Sequence, residues 1–138
     1  MESRILLVGN DDKLQETRAL ILNQRWSTFL ARPNDAMRSL EAEQPDLVIL
    51  CHTLCRDEAQ ALVRACRDKF HEARILALEA RIGSARELKA DAVVETMLGP
   101  QPMVSAIEVL LGDRALSVKL RTHEQGPPWQ DSGKSMLF

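Results

Sequence analysis

Cysteine is scarce in this chain: three residues, an odd number, in 138. Cys51 and Cys55 are too few to staple a small secreted fold, so structural disulfides are not expected and a reducing compartment fits. Long apolar runs are lacking too. Those from Ile5 to Val8 and from Leu47 to Cys51 fall far below the ~20 residues that a membrane span requires. The start, MESRILLVG, has neither the basic flank nor the extended apolar stretch of a signal peptide. The reading is a cytoplasmic protein without membrane contact. Excess charge of one sign is also missing: 18 Lys and Arg stand against 20 Asp and Glu, for a formal charge of -2. That balance offers no footprint for nucleic acid or an anionic lipid surface. Gly9 is followed by Asn-Asp-Asp, without the glycine spacing of a nucleotide-binding loop. No internal repeat or low-complexity run is present.

What is present is an ordinary globular composition, 45% apolar and 28% charged, in a length that suits one domain with a sizeable core. Short apolar segments alternate with helical patterns. RILLV (4–8) reads as a strand, and Leu14, Ile21 and Leu22 are spaced for one face of a following helix. Asn10 or Asp12 can cap that helix, Asp12-x-x-Gln15 has the spacing of a capping box, and Asp11 and Asp12 both suit the positive end of the helix dipole. STFLA (27–31) is a weaker strand, followed by a helix over 34–43 with Ala36, Met37 and Leu40 inward. DLVILC (46–51) is apolar on both faces, as a central parallel strand covered by helices must be.

Ala59, Leu62, Val63, Cys66 and Phe70 form the stripe of a helix over 56–70, which makes Cys66 a core residue. RILALE (74–79) is a fourth strand, a short helix lies near 84–89, and DAVVE (91–95) is a fifth strand. A last helix takes Pro100 in its first turn, turns Met103, Val104, Ile107, Leu110 and Leu111 inward, and ends near Gly112. From Thr122 onward the chain is polar and carries Gly126, Pro127, Pro128 and Gly133 against regular structure. This divides it into a domain over 1–112 and a C-terminal extension over 113–138, whose Trp129 and closing Met-Leu-Phe can dock on the domain or on a partner.

Five β/α units joined by right-handed crossovers give an α/β three-layer sandwich around a five-stranded parallel sheet. In such sheets function collects at the carboxyl ends of the strands, where the strand order reverses. For a flavodoxin-like (βα)5 order, 2-1-3-4-5, that point lies between strands one and three. Gly9, Asn10 and Cys51 meet there.

RILLVGND, QPDLVILC, RILALEA and the run from ADAVVETM through Pro100 to VSAIEVLL together resemble the receiver domain of bacterial two-component response regulators, over residues 4–111. The resemblance implies the flavodoxin-like fold and an ancestry in phosphorelay signalling. It also implies a lost site. Where the family holds magnesium with two acids after the first strand, this chain has Gly9 and Asn10, with Asp11 one step beyond. Cys51 stands in place of the phospho-acceptor aspartate, Glu79 in place of a threonine or serine, and Thr96 in place of a lysine. The aromatic switch position holds Val93, Leu54 and Cys55 replace a Met-Pro pair, and Ala59 replaces a glycine. The stretch between Glu79 and Thr96 is short, which predicts a reduced fourth helix.

A glycine, an amide and a soft thiol are poor ligands for magnesium. Phosphoryl transfer depends on cations that neutralise the moving group, and the anion of Glu79 opposes it. The expectation is a vestigial phospho-acceptor pocket of Gly9, Asn10, Asp11, Cys51, Glu79 and Thr96 in a pseudo-receiver without catalysis or cofactor. Such a domain acts by binding another signalling protein, with the family's output surface falling on 82–111. No nucleic-acid partner is expected, because no helix-turn-helix pattern follows residue 112. A second copy of the chain is an open alternative as partner.

Each singled-out residue has a plainer reading beside the functional one. Cys51 is a small apolar residue at a strand end, a redox thiol, or a metal ligand with His52 and Cys55, although structural zinc draws four ligands and a second pair is absent. That set defines the alternative function, a thiol-based redox or metal sensor. Glu79 is an exposed loop carboxylate or an anion set in the pocket in place of a phosphoryl group. Gly9 is a turn glycine. Asp11 and Asp12 are caps first and residual metal ligands or a surrogate acceptor second, and His71 and His123 face solvent.

Overall fold

The strand LVIL is buried at all four positions, which only a layer of helices on each side of a sheet can achieve. In the computed structural model, which describes residues 3–81 and 88–122, the stretch 113–122 by its backbone alone, five strands do lie between two helical layers. They are β1 (Arg4–Val8), β2 (Ser27–Ala31), β3 (Leu47–Leu50), β4 (Arg74–Glu79) and β5 (Ala92–Glu95). All pair in parallel, in the order β2-β1-β3-β4-β5. Helices α1 (Asp12–Leu22), α2 (Pro33–Glu43), α3 (Arg56–Lys69) and α4 (Gln101–Thr122) join or follow them, with a 3₁₀ turn at Thr96–Leu98 after β5. This is the expected flavodoxin-like three-layer sandwich.

Successive side chains of a strand point to opposite faces, and the core divides accordingly. Leu6, Val8, Val48, Leu50 and Ile75 pack with Ala36 and Leu40 of α2 and with Ala59, Leu62 and Cys66 of α3. Ile5, Leu7, Leu47, Ile49, Leu76 and Leu78 pack on the other face with Leu22 of α1, Trp26, and Met103, Ile107 and Leu110 of α4. Fully burying one such aliphatic side chain contributes about 1.5–3 kcal/mol. Cys66 sits in the first cluster, as its place in the stripe predicts, and burial pushes its thiol up to about 11.

Several local expectations are corrected. The cap of α1 is Asp11, whose carboxylate accepts the amide hydrogen of Leu14 at 3.1 Å, and neither Asn10 nor Asp12 takes that role. Gln15 forms no capping box, because its side chain turns into the core. Met37 lies exposed, since Ala36 and Leu40 already complete the inward face of α2. The last helix does not stop at Gly112 but continues to Thr122. A helical glycine costs about 1 kcal/mol without ending the helix, and the Ala, Leu, Lys and Arg residues that follow favour its continuation. Of the short helix expected over 84–89, residues 84–87 lie outside the described residues, and 88–89 are not helical. His123 and the stretch 123–138 also lie outside them.

Candidate functional site

Two loops meet over the carboxyl ends of β1 and β3. The amide of Cys51 donates to the carbonyl of Val8 at 2.9 Å, which carries the β1–β3 ladder one residue past β3. Its thiol donates to Oε1 of Gln15 at 3.8 Å. Gln15, 2% exposed, uses its Nε2 to reach the carbonyls of Gly9 and Ala31 at 3.4 and 3.2 Å. One buried amide therefore ties Cys51 to the ends of β1 and β2.

Gly9 owes its place to closeness rather than to a turn. A Cβ there would fall 2.9 Å from Cβ of Cys51, 3.0 Å from Oγ1 of Thr53 and 3.1 Å from Sγ of Cys51. Its φ is not positive, so the turn reading is not the reason for glycine. Asn10 bridges the two loops: its amide hydrogen goes to Oγ1 of Thr53 at 2.9 Å, and its Nδ2 donates to the Thr53 carbonyl at 3.1 Å and to Oε1 of Glu58 at 3.2 Å.

Glu58 is held by the start of α3. Cys55 is the N-cap, with Sγ accepting from the Glu58 amide at 3.5 Å while Oε1 of Glu58 accepts from the Cys55 amide at 3.0 Å. The hydrogen bond from the Cys55 backbone, with help from the Asn10 side chain, holds the Glu58 carboxyl below its ordinary value. Asp12 is engaged elsewhere, in a two-pronged pair with Arg32 that lowers the acid and raises the base.

The residues at these places do not fit a magnesium ion. Position 9 has no room for a ligand, Asn10 presents a donor, and Cys51 presents a soft thiol that is itself a donor. Asp11 is occupied by the Leu14 amide and Asp12 by Arg32.

Gly9, Asn10, Asp11 and Cys51 thus share one cluster at the sheet's carboxyl edge. Glu79 closes β4, buried at 7% exposure rather than exposed in a loop, and its register partner is Glu95. Thr96 stands apart, in the wall of a cavity between α1 and α4, and Val93 is exposed on the edge strand β5. Cys51 and Cys55 differ sharply: the first is 1% exposed against Gln15, the second exposed as a helix cap. Among the described residues, no three His, Cys, Asp or Glu side chains are grouped to hold a metal ion. His71 is exposed.

Sequence reasoning missed Gln15, Thr53 and Glu58. Cys55-x-x-Glu58 does carry the spacing of a capping box, with a thiol in place of the usual hydroxyl. The only local signal at Gln15 is a capping-box spacing that points to a different role, and Thr53 carries none.

No protein-family model matches the sequence, and no curated protein matches it either. Solved structures do. The chain is similar to the signal receiver domain of a response regulator from Bermanella marisrubri, with a TM-score of 0.69 at 20% identity over 80% of this chain and 99% of that one. A response regulator receiver modulated diguanylate cyclase from Pelobacter carbinolicus superposes with a TM-score of 0.68 at 17% identity, over 85% and 98% of the two chains. The CheY-like response regulator receiver domain from Methylobacillus flagellatus gives 0.64 at 17% identity, over 80% and 99%. The likeness is one of fold: the chain has the flavodoxin-like fold found in response-regulator receiver domains.

Proposed function

We propose that this chain is a pseudo-receiver of the two-component type, which is not phosphorylated and acts, without catalysis, by binding another signalling protein in the cytoplasm. The observation that carries this reading is the closure of the strand-end site on itself. Gly9 is packed against Cys51, and Asn10 spends its amide on Thr53 and Glu58. A phosphoryl group at this place would need a free carboxylate acceptor and cations around it; in the vestigial pocket of Gly9, Asn10, Asp11 and Cys51, with Glu79 at the end of β4 and Thr96 just past β5, the Asp11 carboxylate is taken up as the α1 cap, Cys51 is a thiol, and no side chain of the set is a cation.

The binding face is drawn from β5, the 3₁₀ turn and α4, the described part of the surface expected over 82–111. Met97 is 77% exposed, Leu98 67%, and Val93 and Val109 are exposed as well. Apolar groups left in water on these elements suit a protein partner. The thiol- or metal-sensor reading draws less support, because Cys51 is enclosed and its thiol already has an acceptor in Gln15.

The test is an amide NMR titration of the reduced protein with magnesium and beryllofluoride, a phosphoryl mimic. The expected result is no saturable change at Gly9, Cys51 or Glu79. Saturable shifts spreading from these residues to Val93 and α4 would overturn the proposal.

A further inference from the structure

A cavity of about 290 Å³ lies between α1 and the beginning of α4, beside the ends of β4 and β5. Leu14, Ile21, Leu78, Val94, Pro100 and Met103 give it mainly apolar walls, and no acidic residue lines it among the described residues. Arg18 does line it, and Nη1 of its guanidinium is buried without a hydrogen-bond partner. Arg4, Arg25, Arg32, Arg38 and Arg67 each meet a carboxylate of the chain; Arg18 meets none among the described residues, and among the described arginines it alone has a buried guanidinium nitrogen without a partner.

A guanidinium stays charged at any physiological pH and offers a planar fork that matches a carboxylate. With one buried nitrogen left without an acceptor beside an apolar wall, it is complementary to an anion that carries its own apolar body. At ~30 Å³ per water-sized group, the cavity holds roughly ten non-hydrogen atoms, about the size of octanoate.

We infer that the cavity between α1 and α4 binds a small amphipathic alkyl carboxylate, whose head pairs with Arg18 and whose chain lies against Leu14, Ile21, Val94 and Met103. Such a ligand ties α1 to the helix that carries part of the proposed binding face, and so provides a chemical input independent of phosphorylation. The binding rests on the cavity and on Arg18 alone, whereas its role as an input rests on the pseudo-receiver reading.

The test titrates octanoate and, separately, 1-octanol into the full chain while following the backbone and methyl resonances of Ile21, Val94 and Met103. Octanoate is expected to saturate with Kd below about 1 mM, with shifts confined to this wall, and octanol to bind about tenfold more weakly. Arg18→Met keeps the stem and removes the charge without leaving an unsatisfied group, and is expected to erase the difference between the two probes. Ile21→Trp, which fills the space, is expected to abolish both, with the fold checked from the dispersion of the same spectrum. Equal affinity of the native chain for octanol, absence of saturable shifts at millimolar octanoate, or shifts that persist in a folded Ile21→Trp variant would each overturn the inference.

Discussion

The contact between Gly9 and Cys51 decides what the strand-end site can hold. The atom nearest a Cβ at position 9 is Cβ of Cys51, fixed to a backbone that is itself hydrogen-bonded to β1. Relief cannot come from swinging a flexible side chain. Gly9→Ala is therefore expected to lower unfolding free energy by about 1–3 kcal/mol, the usual cost of overpacking, measured in urea with an unchanged m-value. Equal stability would show that the two strand ends part easily and that the site is not closed. Around the same contact, Glu58 is held below its ordinary carboxyl value, first by the Cys55 backbone amide. The sign follows from linkage: a depressed folded-state value stabilises the fold above the unfolded value of 4.5, and the contribution is lost as pH falls through the lower folded value.

Among the elements, α4 departs furthest from its sequence pattern. Its inward residues Met103, Ile107 and Leu110 fall where the spacing puts them, yet the helix runs past Gly112 to Thr122. A Cβ at Gly112 meets nothing within 4 Å, and its φ is not positive. Gly112→Ala is accordingly expected to stabilise the protein by about 0.5–1 kcal/mol, through lower backbone entropy in the unfolded chain. A thermal or urea transition that moves down instead would show that the helix needs the glycine. Helix ends were the least legible features throughout, because caps depend on groups brought in from elsewhere. Asp11 outcompeted Asn10 as a cap because the Asn10 side chain and amide are taken up by Thr53 and Glu58, more than forty positions away.

At the scale of the whole molecule, the two-sided sheet sorts the three cysteines. Cys66 and Cys51 are each 1% exposed, in opposite core layers, while Cys55 is exposed. Under native conditions at pH 8, Ellman's reagent is expected to react rapidly with Cys55 alone, and with all three thiols in urea. A second rapid thiol in the native protein would restore Cys51 as a redox candidate. Burial raises the Cys66 thiol from 9.0 to about 11, so its contribution to stability is complete below pH 9 and is lost as pH rises through about 11. The alkaline fall in stability is expected to shrink in Cys66→Ala.

The order of strands and helices along the chain and the doubly covered β3 were legible in the sequence, since they rest on periodicity and residue type along a continuous segment. The buried bridge of Gln15, the absence of room at Gly9, the burial of Glu79 and the unsatisfied Arg18 in the α1–α4 cavity were decided only by the tertiary structure. Each depends on loops and helices far apart in the chain coming within contact distance, and nothing in a local pattern encodes that distance.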